Sequence, residues 1–120
     1  MRIPGRTSAG ALLLGVALTL ALAEIKSPTV NIYTATPVEY GKKNTLICHC
    51  RGFHPPRIDM RLKKDGQDMP DCQESDLSFE QDWTYYRSKY TEFTPKEGEV
   101  YECEVKHDEG KPQTYRLETF

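Results

Sequence analysis

From Asn44 to Gly52 apolar and polar positions alternate: Leu46, Cys48 and Cys50 share one face, and Ile47, His49 and Arg51 the other. A period of two is that of a β-strand that buries one face and leaves the other wet. Ile58, Met60 and Leu62 repeat it against Asp59, Arg61 and Lys63, until an Asp65-Gly66 hairpin signal closes the run. Glu99–His107 alternates again. Thr29–Thr34 is a β-branched run ended by Pro37 and Gly41, Cys72–Phe79 is a weaker segment, Trp83–Phe93 is long and aromatic, and Gln113–Leu117 comes last. These are about seven short strands at regular spacing, with no convincing amphipathic helix. The pattern predicts an all-β, seven-stranded antiparallel β-sandwich.

The N-terminal residues follow another logic. Arg2 and Arg6 precede an apolar run, Ala11 to Ala23, that closes on Ala21-Leu22-Ala23, the small-x-small pattern of a signal-peptidase site. The expectation is a signal peptide over 1–23, Glu24 as the mature N-terminus and one domain over 24–120. The apolar run is shorter than the ~20 residues of a spanning helix. No second run follows, and Arg116–Phe120 lacks the hydrophobic tail of a lipid-anchor signal. The sequence therefore predicts a secreted chain with no direct membrane insertion, held at a cell surface only through a partner.

Charge and residue types then narrow the chemistry. Setting aside Arg2 and Arg6 leaves 14 basic against 18 acidic residues, a net charge of −4, with no dense Lys/Arg patch. That argues against nucleic acid. Acidic residues scatter over outward positions and turns rather than pairing as a general acid and base, and neither a phosphate loop nor a nucleophile elbow occurs. No catalytic residue is assigned, and no cofactor is expected. Cys48-His49-Cys50 has the residue types of a metal site, but strand alternation points His49 away from both sulfurs, so no metal is expected. His54 and His107, at a turn and a strand end, read as structural.

All four cysteines follow the signal peptide, where disulfides are the default. Cys48 and Cys103, 55 residues apart and each central in an alternating strand, are placed to join two sheets through the core. Closing a loop of that length contributes roughly 4 kcal/mol in the chain-entropy model. Cys50 and Cys72 admit two readings. They form a second disulfide, or Cys50 is a buried free thiol and Cys72 a surface thiol open to an intermolecular bond. Tyr101, two residues before Cys103, occupies the tyrosine-corner position, where the phenol bonds back to a nearby backbone group.

The run Tyr101-Glu-Cys-Glu-Val-Lys-His107 and the turn Gly52-Phe53-His54-Pro55-Pro56 resemble the constant-type (C1) immunoglobulin domains of antibodies and histocompatibility molecules. Leu62 stands where most such domains carry a core tryptophan. With Ser75–Tyr86 and Tyr90–Pro95, it makes the chain similar to the light-subunit family of class I histocompatibility complexes. The resemblance covers nearly all of 24–120 and departs from the family at two places. His107–Pro112 is one residue shorter, and Leu117 replaces a usual tryptophan.

The resemblance implies a cis peptide at His54-Pro55. It also implies non-covalent association with a membrane-bound class I-like heavy chain, stabilising it for peptide presentation, through Tyr33, Asp76, Phe79, Trp83 and Tyr86. Large aromatics at an interface centre carry much of its binding energy. For Tyr33 and Tyr86 ordinary sheet-surface packing stays open. For the whole chain the alternative is a free-standing secreted immunoglobulin-domain ligand.

Overall fold

Each alternating run forms a strand in the computed structural model, which describes residues 24–118. The expected signal peptide, 1–23, lies outside the described residues. Chain order gives β1 (Thr29–Thr34), β2 (Asn44–Phe53), β3 (Ile58–Lys64), β4 (Gln67–Asp68), β5 (Gln73–Glu74), β6 (Ser78–Phe79), β7 (Tyr85–Phe93), β8 (Tyr101–His107) and β9 (Gln113–Arg116). One sheet runs β1-β2-β7-β5 with β6 also on β7, and the other runs β4-β3-β8-β9. All pairings are antiparallel. Among the described residues no helix is long and apolar enough to cross a membrane.

Nine segments rather than seven arise for two local reasons. β5 and β6 are halves of one edge strand, broken where Ser75 turns its hydroxyl and backbone onto Ser88 and Arg87 Nε donates to the Ser75 carbonyl at 3.1 Å. β4 is the short return of the Asp65-Gly66 hairpin, where φ is 51° and 82° at the two turn residues. Two successive positive φ values match the twist of a tight hairpin, which is why Asp-Gly is favoured there.

The core forms between the inward faces. Leu46, Cys48, Cys50 and Phe53 of β2 meet Met60 and Leu62 of β3 and Tyr101, Cys103 and Val105 of β8, all buried. Leu62, in the usual tryptophan position, is 1% exposed. Cys48 and Cys103 are disulfide-bonded across the two sheets. Lys89 also points inward from β7, and its Nζ donates to the Met60 carbonyl at 2.8 Å, tying the sheets together a second time. Tyr101 packs edge-on against Phe93 at 4.8 Å, while its hydroxyl donates to Glu99 and accepts from the Lys96 backbone N–H. Burial, reinforced by Glu99, pushes the Tyr101 phenol up to about 12. The His54-Pro55 bond is cis, and His107 Nε2 lies 2.9 Å from the Pro55 carbonyl oxygen.

Of the two readings of Cys50 and Cys72, the second disulfide does not form: both are free, Cys50 buried and Cys72 half-buried. Cys50 faces Arg87 across β2 and β7, whereas Cys72 precedes β5, whose Gln73 faces Tyr90 on the other edge of β7. The two positions are separated by roughly four residues along β7, about 13 Å, and by two strand widths of about 4.8 Å, when a bridge needs Cα atoms within about 7 Å. Alternation was right about the inward face of Cys50 but silent on which strand intervenes. Cys72 donates to the Met69 carbonyl at 3.3 Å, and burial pushes the Cys50 thiol up to about 12.

Two outcomes follow for thiol chemistry. Unfolded without reductant, the chain should take up two thiol labels, on Cys50 and Cys72; peptide mapping that finds none would restore the second bridge. Replacing Cys48 and Cys103 by Ala should lower unfolding free energy by about 2–5 kcal/mol in denaturant titration.

Candidate partner-binding face

The two outward sheet faces differ in kind. On the β3-β8-β9 face, Lys63 lies opposite Glu102, Arg61 opposite Glu104, Asp59 opposite Lys106 and Glu102 opposite Arg116. Every one of these pairs carries opposite charges, an arrangement that stabilises a sheet while it stays in water. Lys63 Nζ reaches Glu104 at 2.7 Å, and Arg116 reaches Glu102 at 3.7 Å.

The β1-β2-β7 face is built otherwise. Register brings Tyr33, Ile47 and Tyr90 into one row, Asn31, His49 and Ser88 into the next, and Thr29, Arg51 and Tyr86 into the third. Only Arg51 carries a fixed charge among those nine side chains. Its guanidinium is 3.6 Å from Glu80. Tyr33, His49, Arg51, Glu80 and Tyr86 line a shallow open depression of about 720 Å³. His49 Nδ1 is 2.7 Å from Ser88 Oγ, which fixes the ring over the middle row.

At the end of this face the β6–β7 hairpin lifts two aromatic rings into water. Glu80 N–H donates to the Thr84 carbonyl at 2.8 Å, and Trp83 N–H to the Glu80 carbonyl at 3.0 Å. Asp82 Oδ1 accepts from the Thr84 hydroxyl at 2.6 Å and from its backbone N–H at 3.1 Å; these bonds hold the Asp82 carboxyl below the usual carboxylate range. Closing so short a loop puts Trp83 at φ 67°, a left-handed conformation that glycine usually supplies. For another residue it costs on the order of 1–3 kcal/mol. Trp83 is 75% and Phe79 63% exposed, and the rings stack in parallel with centroids 5.8 Å apart. Burying each ring is worth roughly 1.5–3 kcal/mol, so the free chain leaves a sizeable driving force unused.

Of the residues assigned from sequence, Phe79 and Trp83 form this stacked pair, and Tyr33 and Tyr86 line the depression. Asp76 lies apart from both, exposed in the break between β5 and β6. Sequence reasoning passed over Ile47, His49, Arg51, Glu80 and Tyr90. Alternation had turned His49 away from the cysteines, and the same parity places it, Ile47 and Arg51 beside Tyr33. Among the described residues no group of three or more metal-ligating side chains gathers.

Residues 30–110 match the immunoglobulin C1-set domain model. The chain is 45% identical to beta-2-microglobulin of Xenopus laevis over 105 residues, covering 88% of this chain and 91% of the relative. It is 47% identical to that of Rattus norvegicus over 92 residues, 77% of each chain. Against beta-2-microglobulin of Gallus gallus it is 44% identical over 114 residues, 93% of this chain and 95% of the relative.

The hairpin geometry sets two opposing terms for Trp83→Gly in the free domain. Relief of the left-handed strain offsets loss of the ring stack, itself worth roughly 0.5–1.5 kcal/mol. Chemical denaturation should therefore show either a gain in stability or a loss below about 1 kcal/mol. A loss above about 3 kcal/mol, the scale of a core aromatic truncation, would place the tryptophan in the core.

Proposed function

The chain belongs to the beta-2-microglobulin family of immunoglobulin C1-set domains, and from that premise we propose that it is the non-catalytic light subunit of a class I histocompatibility complex. It associates non-covalently with a membrane-bound heavy chain, and peptide presentation follows from the assembled pair. Exported by its signal peptide at 1–23, the domain over 24–120 is secreted and is held at the cell surface through that partner.

The observation that carries this reading is the asymmetry of the sandwich. One outward face satisfies its own charges, while the other is nearly uncharged, rich in tyrosine and continued by the bare Phe79–Trp83 pair. An exposed aromatic patch beside hydrogen-bonding groups has the make-up of an interface core. Tyr33 and Tyr86 meet the heavy chain's immunoglobulin domain, and Phe79 and Trp83 the underside of its peptide platform. Asp76 contributes from the adjoining edge strand. Binding only the assembled state stabilises that state by mass action.

The experiment is reconstitution of the chain with a recombinant class I heavy-chain ectodomain and a peptide, with affinity and stoichiometry measured. A one-to-one complex is expected. Trp83→Ala should weaken it by about thirtyfold or more, the effect of losing a central aromatic worth at least about 2 kcal/mol. Lys106→Ala, on the charged face, should leave affinity unchanged. A chain that instead engages a receptor without any heavy chain would favour a free-standing ligand and overturn the proposal.

A further inference from the structure

We propose that His49 makes this association pH-dependent: a largely uncharged partner surface closes over the depression while the imidazole is neutral, and protonation of His49 drives the partner off. The inference rests on the light-subunit reading and adds to it the partner's chemistry at one spot.

Position is the first support. His49 sits in the middle row of the partner-binding face, between the Tyr33–Ile47–Tyr90 row and the Arg51–Tyr86 row, so docking along this face removes its ring from water. Its surroundings are the second. From β1 it faces Asn31 and Tyr33; from β7, Ser88 and Tyr86, whose ring centroid is 6.1 Å away. From its own strand it faces Ile47 and Arg51, and the β6–β7 hairpin adds Glu80 to the depression. The one carboxylate among these, Glu80, is already 3.6 Å from Arg51. Among the described residues no carboxylate pairs with His49, whose side-chain bond is to the Ser88 hydroxyl.

An imidazolium at this place is tolerable only while water solvates it. Under an uncharged partner it loses that solvation and keeps Arg51 two residues along the same face, about 7 Å away. The complex then binds fewer protons than the separated chains, so acid favours separation, and a single linked proton limits the effect to about tenfold per pH unit. Histidine changes charge between about pH 5 and 8. Asp82, held below the usual carboxylate range, stays ionised through that window, so the Asp82–Thr84 clamp beneath Trp83 is not what titrates.

The test measures Kd for the recombinant heavy-chain ectodomain from about pH 7.5 to about pH 5.5. Wild type is compared with His49→Gln, which keeps a hydrogen-bonding amide for Ser88, and with His49→Tyr, which keeps a ring. Each profile is normalised to its own affinity at the upper pH, and melts of the free chains check folding. His54 and His107 are common to all three proteins and cancel in the comparison. The expected result is a wild-type Kd that rises three- to tenfold per pH unit more steeply than in either variant. Parallel profiles would overturn the inference while leaving the light-subunit reading standing. So would a wild-type affinity that tightens in acid, which would mean a partner carboxylate lies over His49. Absence of any complex at the upper pH would sink the light-subunit reading, and this inference with it.

Discussion

The Cys48–Cys103 bridge joins β2 of one sheet to β8 of the other and thereby fixes the parity of both strands. With Cys48 inward, Ile47, His49 and Arg51 must face out on one side of the sandwich. With Cys103 inward, Glu102 and Glu104 must face out on the other. A slip of one residue would exchange core and surface along either strand. In a domain that buries only about 60–70% of its unfolded surface, the bridge locks the parity that the buried Leu46, Phe53, Met60, Leu62 and Val105 also favour. The same bond that stabilises the fold therefore decides which side chains are offered to a partner.

What the two faces do with that parity differs energetically. Oppositely charged pairs on the β3-β8-β9 face are worth a few tenths of a kcal/mol each and ask for nothing beyond water. The tyrosine-rich face gains little by staying wet. Together with the Phe79–Trp83 stack it holds apolar area that contributes to stability only when covered. On the light-subunit proposal, covering this face stabilises the fold by mass action, by an amount set by the partner's concentration relative to Kd.

Strand existence and facing were legible in the sequence because a period of two survives any detail of packing. Thr29–Thr34 and the inward set Leu46, Cys48, Cys50, Met60 and Leu62 are where alternation put them. Strand ends were less so. β7 begins at Tyr85 rather than Trp83, because the Asp82–Thr84 hydrogen bonds close the hairpin first. The choice between the two readings of Cys50 and Cys72 was not legible for a different reason: alternation reports which face a residue takes, and lateral strand order, with β7 lying between the two, is not written in local pattern. In the sequence alone, His49 stands out only for its two flanking cysteines. Its place in a row between Tyr33 and Tyr86 depends on register across three strands, which no single segment discloses.

Trp83 is the point at which local preference and global structure disagree. Inside the Glu80–Thr84 bond the turn has three residues, the last of them left-handed; such a position favours glycine, and the largest side chain occupies it instead. Such conflicts persist where a surrounding structure over-determines the conformation, and here it does: the Glu80–Thr84 and Glu80–Trp83 backbone bonds and the Asp82 clamp close the loop around it. The left-handed backbone in turn holds the indole outward, parallel to Phe79, instead of letting it fold onto the sheet. Fixing the ring before binding removes part of the ordering cost that an anchor side chain on a flexible loop would incur, about 0.5–1.5 kcal/mol for one immobilised side chain. The strain of the free chain and the readiness of its interface are thus two consequences of one backbone angle.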